Sequence, residues 1–258
     1  VRPILAGATL IGALTSYSPS EGGLGKNLTL FKKALSYKSF ADTEIREQLA
    51  QASAIVFRNE QIDVKVKNEF YELGYSELTN QLKSTPEDAR YRLFMGVFLN
   101  SAGRFEEGIT QLTKAVELSP AKQSIIFELG TSYLNSGKFA EALEAFSKAF
   151  LLEPAFSDAR IIYALGAVYN KDMNLADQIL EEGFGTVLVS DARLEQAYFN
   201  NKQFERLIAI YKNKIETEPA NGELYLRLAG AELQDGQRSA AIASIRKAME
   251  VDPKLKEA

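Results

Sequence analysis

The 258-residue chain contains no cysteine, no histidine and no tryptophan. Without cysteine there is no disulfide and no thiolate metal site, although that absence alone leaves the compartment open. Without histidine the commonest general base and metal ligand is missing, together with every Ser-His or Cys-His nucleophile arrangement. Charge of one sign is also scarce in excess: 30 Lys and Arg against 34 Asp and Glu give a net charge of −4. Nothing so balanced offers a broadly basic surface to phosphates, so nucleic acid is not expected as a partner. Long apolar runs are lacking as well. The opening stretch, VRPILAGATLIGALTSY at residues 1–17, is almost free of charge, yet falls short of the ~20 apolar residues that a spanning helix needs.

What the chain does have is a repeat. Residues 89–120 read ARYRLFMGVFLNSAGRFEEGITQLTKAVELSP and residues 123–154 read QSIIFELGTSYLNSGKFAEALEAFSKAFLLEP. Aligned, Gly96 falls on Gly130, Gly103 on Gly137, Phe105 on Phe139, Gly108 on Ala142, Ala115 on Ala149 and Pro120 on Pro154. Pro86, Pro120 and Pro154 stand 34 residues apart, as do Pro219 and Pro253. A fixed period of this length, with small and aromatic residues at set places, marks a helix-turn-helix solenoid. Gly96, Gly130 and Gly166 in first helices, and Gly108 and Ala142 in second helices, let paired helices approach closely. Leu99, Phe105, Leu112, Tyr133, Phe139 and Phe146 fill the space that the small residues leave. Gly103 and Gly137 sit where a left-handed residue ends a helix without Cβ strain, and Pro120 and Pro154 cannot continue the helices before them. Over residues 87–253 this pattern resembles the tetratricopeptide repeat (TPR) family. The resemblance implies an all-α, right-handed helical solenoid of about five units behind an irregular helical N-terminal region, with no cofactor.

The register is not uniform. Pro154 to Pro219 is three residues short of two repeats, and the deficit is placed near Gly183 to Gly185. There the second helix, from Asp172, is read as shortened and as lacking the usual small residue. Residues 188–219 form a weaker repeat, and residues 222–253 a clear one with Leu228, Ala229, Gly236, Ala241 and Ala248. Upstream, Ser18 to Gly25 reads as a loop. A helix follows with Leu28, Phe31, Ala34 and Leu35 at helical spacing. The next helix is capped near Asp42 and carries Ile45, Leu49, Ala52 and Val56, and a further one spans 62–84. Three segments result: an apolar helix at 1–17, an irregular helical region at 18–86 and the solenoid at 87–258.

A second resemblance lies in this N-terminal part. Arg2-Pro3-Ile4-Leu5-Ala6, then Asn27 to Leu35 (NLTLFKKAL), then Glu44 to Leu49 (EIREQL) are similar to a junction in bacterial O-antigen ligase and polymerase-like membrane proteins. There the last transmembrane segment gives way to an extracytoplasmic tail that often carries TPRs. It implies an extracytoplasmic, membrane-associated setting, with any glycosyl-transfer site in a membrane portion outside this chain. Val1 in place of Met leads to the expectation of a processed chain or a fragment. Residues 1–17 are then the end of a membrane helix, a helix packed on the solenoid or a partner, or the remnant of a signal peptide.

Candidate chemistry is thin. Ser20 to Lys26 (SEGGLGK) lacks the spacing of a phosphate-binding loop and follows no strand. Glu106-Glu107 and Glu181-Glu182 are adjacent on helices, so their carboxylates diverge by about 100° and read as solvated faces. No catalytic or metal site is expected. Asn27-Leu28-Thr29 fits the glycan-acceptor pattern, which makes Asn27 a candidate for modification in an extracytoplasmic setting. TPR families commonly bind peptides on a concave wall of first helices. The positions carried over are Leu93, Val97, Asn100, Phe127, Thr131, Leu134, Tyr163, Ala167 and Asn170. Leu93 and Phe127 stand where carboxylate-clamp adaptors carry lysine, and Val97 and Thr131 where they carry asparagine, which argues against a chaperone-tail adaptor. Ile4, Leu5, Leu10, Ile11 and Leu14 are the candidate membrane or assembly face of the first helix. The expected partner is a protein or another copy of the chain, with a glycan or membrane contact through residues 1–17 also in view. Three functions stay open: the tail of an O-antigen ligase-like protein, a self-assembling structural protein, and a freestanding adaptor.

Overall fold

A computed structural model describes residues 1–256; the last two residues of the expected solenoid lie outside the described residues. Among these it contains 14 α-helices and no strand. They form two compact units, Val1–Ala145 and Phe146–Ala258.

In unit 1, α1 (Arg2–Ala13) packs on α2 (Gly23–Ser36), and α2 on α3 (Asp42–Arg58) and α4 (Val64–Ser84). The pairs α5 (Ala89–Ser101) with α6 (Phe105–Leu118), and α7 (Gln123–Asn135) with α8 (Phe139–Leu152), follow, and the division between units falls within α8. Two side-chain clusters hold the N-terminal helices. Ala6, Leu10 and Ala13 of α1 join Leu28 and Phe31 of α2, Ile45 and Leu49 of α3 and Phe70 of α4. Ala50, Leu78, Met95, Phe98 and Leu99 carry the packing on into α5. The loop expected at 18–25 is shorter than the sequence suggested. A 3-10 turn at Pro19–Glu21 is closed by Glu21, which accepts from the Ser18 amide at 3.0 Å, and α2 begins at Gly23. Asp42 is the first helical residue of α3 and not its cap; its carboxylate accepts from the Ser39 amide at 3.1 Å.

Unit 2 holds the pairs α9 (Ser157–Tyr169) with α10 (Met173–Phe184), α11 (Ala192–Asn200) with α12 (Phe204–Thr217), and α13 (Gly222–Gln234) with α14 (Arg238–Val251). The three missing residues have a structural counterpart here. α10 has 12 residues where α12 and α14 have 14, and α11 has 9 where α9 and α13 have 13. The expectation that α10 lacks a small residue is corrected: Ala176, 34 residues after Ala142, is fully buried.

Every pair turns on a left-handed residue: Gly103, Gly137, Lys171, Lys202 and Gly236, with φ between 58° and 81°. The turns at Lys171 and Lys202 are 31 residues apart, which places the deletion between them. A Cβ in this conformation costs roughly 1 kcal/mol. Lys171→Gly and Lys202→Gly are therefore expected to raise stability by up to about 1 kcal/mol each. Urea midpoints of the single variants and the pair check this; a fall in midpoint would show that the lysine side chains stabilise the turns.

Candidate interaction surface

The nine expected wall residues fall in both units. In unit 1 the first helices stand side by side, α3 against α5 and α5 against α7, with α4 and α6 packed on them as the second helices of their pairs. Leu93 and Val97 of α5, and Phe127 and Leu134 of α7, are half-buried and Thr131 is exposed. Asn100 serves packing instead. Its Nδ2 donates to Ser132 Oγ across to α7, and its Oδ1 is buried without a hydrogen-bond partner, set against Gly108 of α6.

In unit 2 the expected residues are out of register by two. α9 begins at Ser157, 34 residues after the start of α7 at Gln123, just as α7 begins 34 after Ala89. The small residue answering Gly130 is thus Ala164, fully buried, and not Gly166. Ile161, Leu165 and Val168 take the places assigned to Tyr163, Ala167 and Asn170. Tyr163 instead stacks on Phe150 at 5.5 Å, Ala167 is fully buried, and Asn170 is the C-cap of α9.

The N-terminal candidates also divide. Ile4 and Ile11 are 76% and 72% exposed, and Leu5 and Leu14 are exposed too, but Leu10 is buried in the core. Among the described residues no helix is long and apolar enough to cross a membrane. Asn27 is buried, and its Nδ2 donates to the Ala13 and Thr15 carbonyls at 2.8 and 2.7 Å. The amide that a glycan would occupy therefore ties down the end of α1, which corrects the acceptor reading for the folded chain. The adjacent glutamates do diverge: Glu106 pairs with Lys138 at 2.7 Å and Glu107 with Arg104.

One charged group on the unit 1 wall escaped the sequence reading. Glu128 of α7 is half-buried, and among the described residues its carboxylate forms no hydrogen bond or ion pair. Burial pushes this carboxyl above its ordinary range, and the Arg58 guanidinium at the end of α3 pulls against that without cancelling it. Arg90, by contrast, is paired with Glu47. The signal was available in the repeat. Phe94 and Ile162, 34 residues before and after, keep this column apolar on either side of Glu128.

Residues 124–156 and 222–255 each match a model of the tetratricopeptide repeat. The chain carries tetratricopeptide repeats. A solved structure agrees on the fold. A TPR protein from Parabacteroides merdae is 15% identical, with 82% of this chain and 85% of that one covered at a TM-score of 0.55. YrrB, described as a TPR protein with an unusual peptide-binding site, is 17% identical over 68% of this chain and 92% of its own, at a TM-score of 0.45. MamA from Desulfovibrio magneticus is 14% identical over 83% and 96%, at a TM-score of 0.42. No curated protein matches the chain. The TPR solenoid expected from the 34-residue period is thus the observed fold, and its repeats generally mediate protein–protein interactions.

Proposed function

We propose that the chain is a non-catalytic scaffold that binds a protein segment. The observation that carries this is the side-by-side layer of α3, α5 and α7, in which Val97 is half-buried and Thr131 exposed. A finer placement is the extracytoplasmic tail of an O-antigen ligase-like membrane protein. Its support is the resemblance of residues 1–58 and the exposed face of Ile4, Leu5, Ile11 and Leu14. A self-assembling protein is the second reading, favoured by the exposed Leu233, Ile242 and Ile245 on the last helix pair. The freestanding adaptor fits the repeats equally well.

One experiment separates the three. The chain and its Ile4→Ser/Ile11→Ser variant, both substituted at exposed positions, are sized by light scattering and floated with liposomes. Flotation of the parent alone is the result expected of a membrane-associated tail. Regular rings or filaments from both would establish assembly, and two monomers that stay with the soluble fraction would leave the freestanding adaptor.

A further inference from the structure

The N-terminal helices of unit 1 surround a cleft of about 370 Å³, and none of the nine expected wall residues lines it. That volume suits a small molecule and is too small for a helix, which is about 10 Å across with its side chains. The floor belongs to the core: Phe31 of α2, Val56 of α3 and Phe70 of α4 are at most 3% exposed. Tyr17, Leu24 and Ala52 form half-buried sides, and Leu14, Gln51 and Ile55 an exposed rim. Gln48, Ala52 and Ile55 stand at i, i+4 and i+7, so one face of α3 looks into the cleft. The four helices share one side-chain cluster, and the small Ala13 and Ala52 leave space at its edge.

Two features define what would fit. The first is charge, because none of the lining residues is charged. The nearby charges are one of each sign: the Lys26 ammonium lies over the Tyr17 ring at 3.8 Å, and Glu44 accepts from Gln48 Nε2 at 2.9 Å. The second is hydrogen bonding. Asn27 Nδ2 is spent on the Ala13 and Thr15 carbonyls, and the Tyr17 hydroxyl donates to the Gly12 carbonyl at 3.0 Å. The Gln51 amide on the rim is open to a ligand as donor or acceptor.

We propose that this cleft binds an uncharged small molecule with a compact apolar body and one hydrogen-bonding group. The body sits on Phe31, Val56 and Phe70, and the polar group meets Gln51. Such a ligand gives the floor the dispersion contacts it lacks and displaces water that the floor cannot hydrogen-bond. A charged body would lose hydration there without gaining a partner. The site goes beyond the scaffold reading and does not depend on it.

The test uses N-phenyl-1-naphthylamine, an uncharged dye that brightens in apolar surroundings, and 1-anilinonaphthalene-8-sulfonate, the same rings carrying an anion. Titrated into the full chain, the neutral dye should saturate at one per chain, about tenfold or more tighter than the sulfonate. Ala52→Leu, which fills the cleft, should weaken the neutral dye about tenfold or more while holding or raising the melting temperature. Ile242→Ser, at an exposed apolar position on α14, should change nothing. Methyl NMR of the parent locates the dye even if Ala52→Leu does not fold: the Leu24, Ile55 and Val56 methyls should shift, and those of Ile242 and Ile245 should not. Equal binding of the two dyes, or shifts confined to methyls outside the cleft, would mean adsorption to exposed apolar surface and overturn the proposal. No binding of the neutral dye would overturn it as well. So would a dimer that the dye dissociates in light scattering, because the occupant would then be a second copy. None of these failures touches the scaffold reading.

Discussion

Phe98→Ala will lower the stability of the chain by about 3–5 kcal/mol, the range for emptying a fully packed aromatic site. Phe98 is 1% exposed, and its ring is held on several sides. Phe57 meets it edge-on at 5.5 Å and Tyr71 stacks on it at 5.5 Å, with Tyr75 stacked in turn on Tyr71 at 5.6 Å. Arg104 donates to the Tyr71 hydroxyl and lies over both tyrosines. The ring also occupies the space above Gly74 of α4, where an added Cβ would come within 2.6 Å of Cε2. Loss of the ring therefore empties a site shared by α3, α4 and α5, the helices that carry the repeat pattern back into the irregular region. Urea unfolding followed by circular dichroism and tyrosine fluorescence measures the loss. Gly74→Ala supplies a sharper check, being costly alone and much less so in Phe98→Ala, where the new methyl has room. Additive effects would mean that the ring and the glycine are not in contact.

How much of this was legible in the sequence depends on which residues carry the register. Helix starts and turn residues do so on either side of the deletion: α5, α7 and α9 begin 34 residues apart, and the left-handed residues 103, 137 and 171 keep the same step, as do 202 and 236. Where those places hold glycine, as at 103 and 137, the turn is visible in the sequence. Lys171 and Lys202 adopt the same conformation without the residue type that advertises it, so the third and fourth turns were not. Pair motifs are weaker guides. Leu165-Gly166 imitates Met95-Gly96 and Leu129-Gly130, but the close approach in α9 uses Ala164, which shifted the expected wall by two residues and placed the buried Ala167 on it. Ala176 was missed for the same reason, since one alanine in a helix says nothing until its spacing is counted. Asn27 shows a different limit. A three-residue acceptor pattern describes chemistry available to an exposed amide, and only the fold shows this one turned inward onto two carbonyls.

Gly96→Ala is the second large effect expected, a destabilisation of about 1–3 kcal/mol from overpacking. The size of that cost can be isolated within this chain. Gly96 and Gly7 both lie inside helices, so alanine should gain roughly 0.5–1 kcal/mol at either from backbone entropy alone. At Gly7 nothing lies within 4 Å of the new Cβ, and that gain should appear in full. At Gly96 the Cβ would come within 3.0 Å of both Leu112 methyls and closer still to Cγ, and Leu112 is fully buried in α6 with no free volume to retreat into. Either the leucine leaves its rotamer or α5 moves away from α6. The second response would also loosen Leu93 of α5 from Ile109, Leu112 and Leu129, on which it packs. Thermal melts of Gly7→Ala, Gly96→Ala and Gly96→Ala/Leu112→Val should rank in that order only if the leucine is rigid. Partial rescue by the smaller valine would instead place the strain in the side chain. Equal stability of Gly7→Ala and Gly96→Ala would contradict the close packing of α5 on α6 altogether.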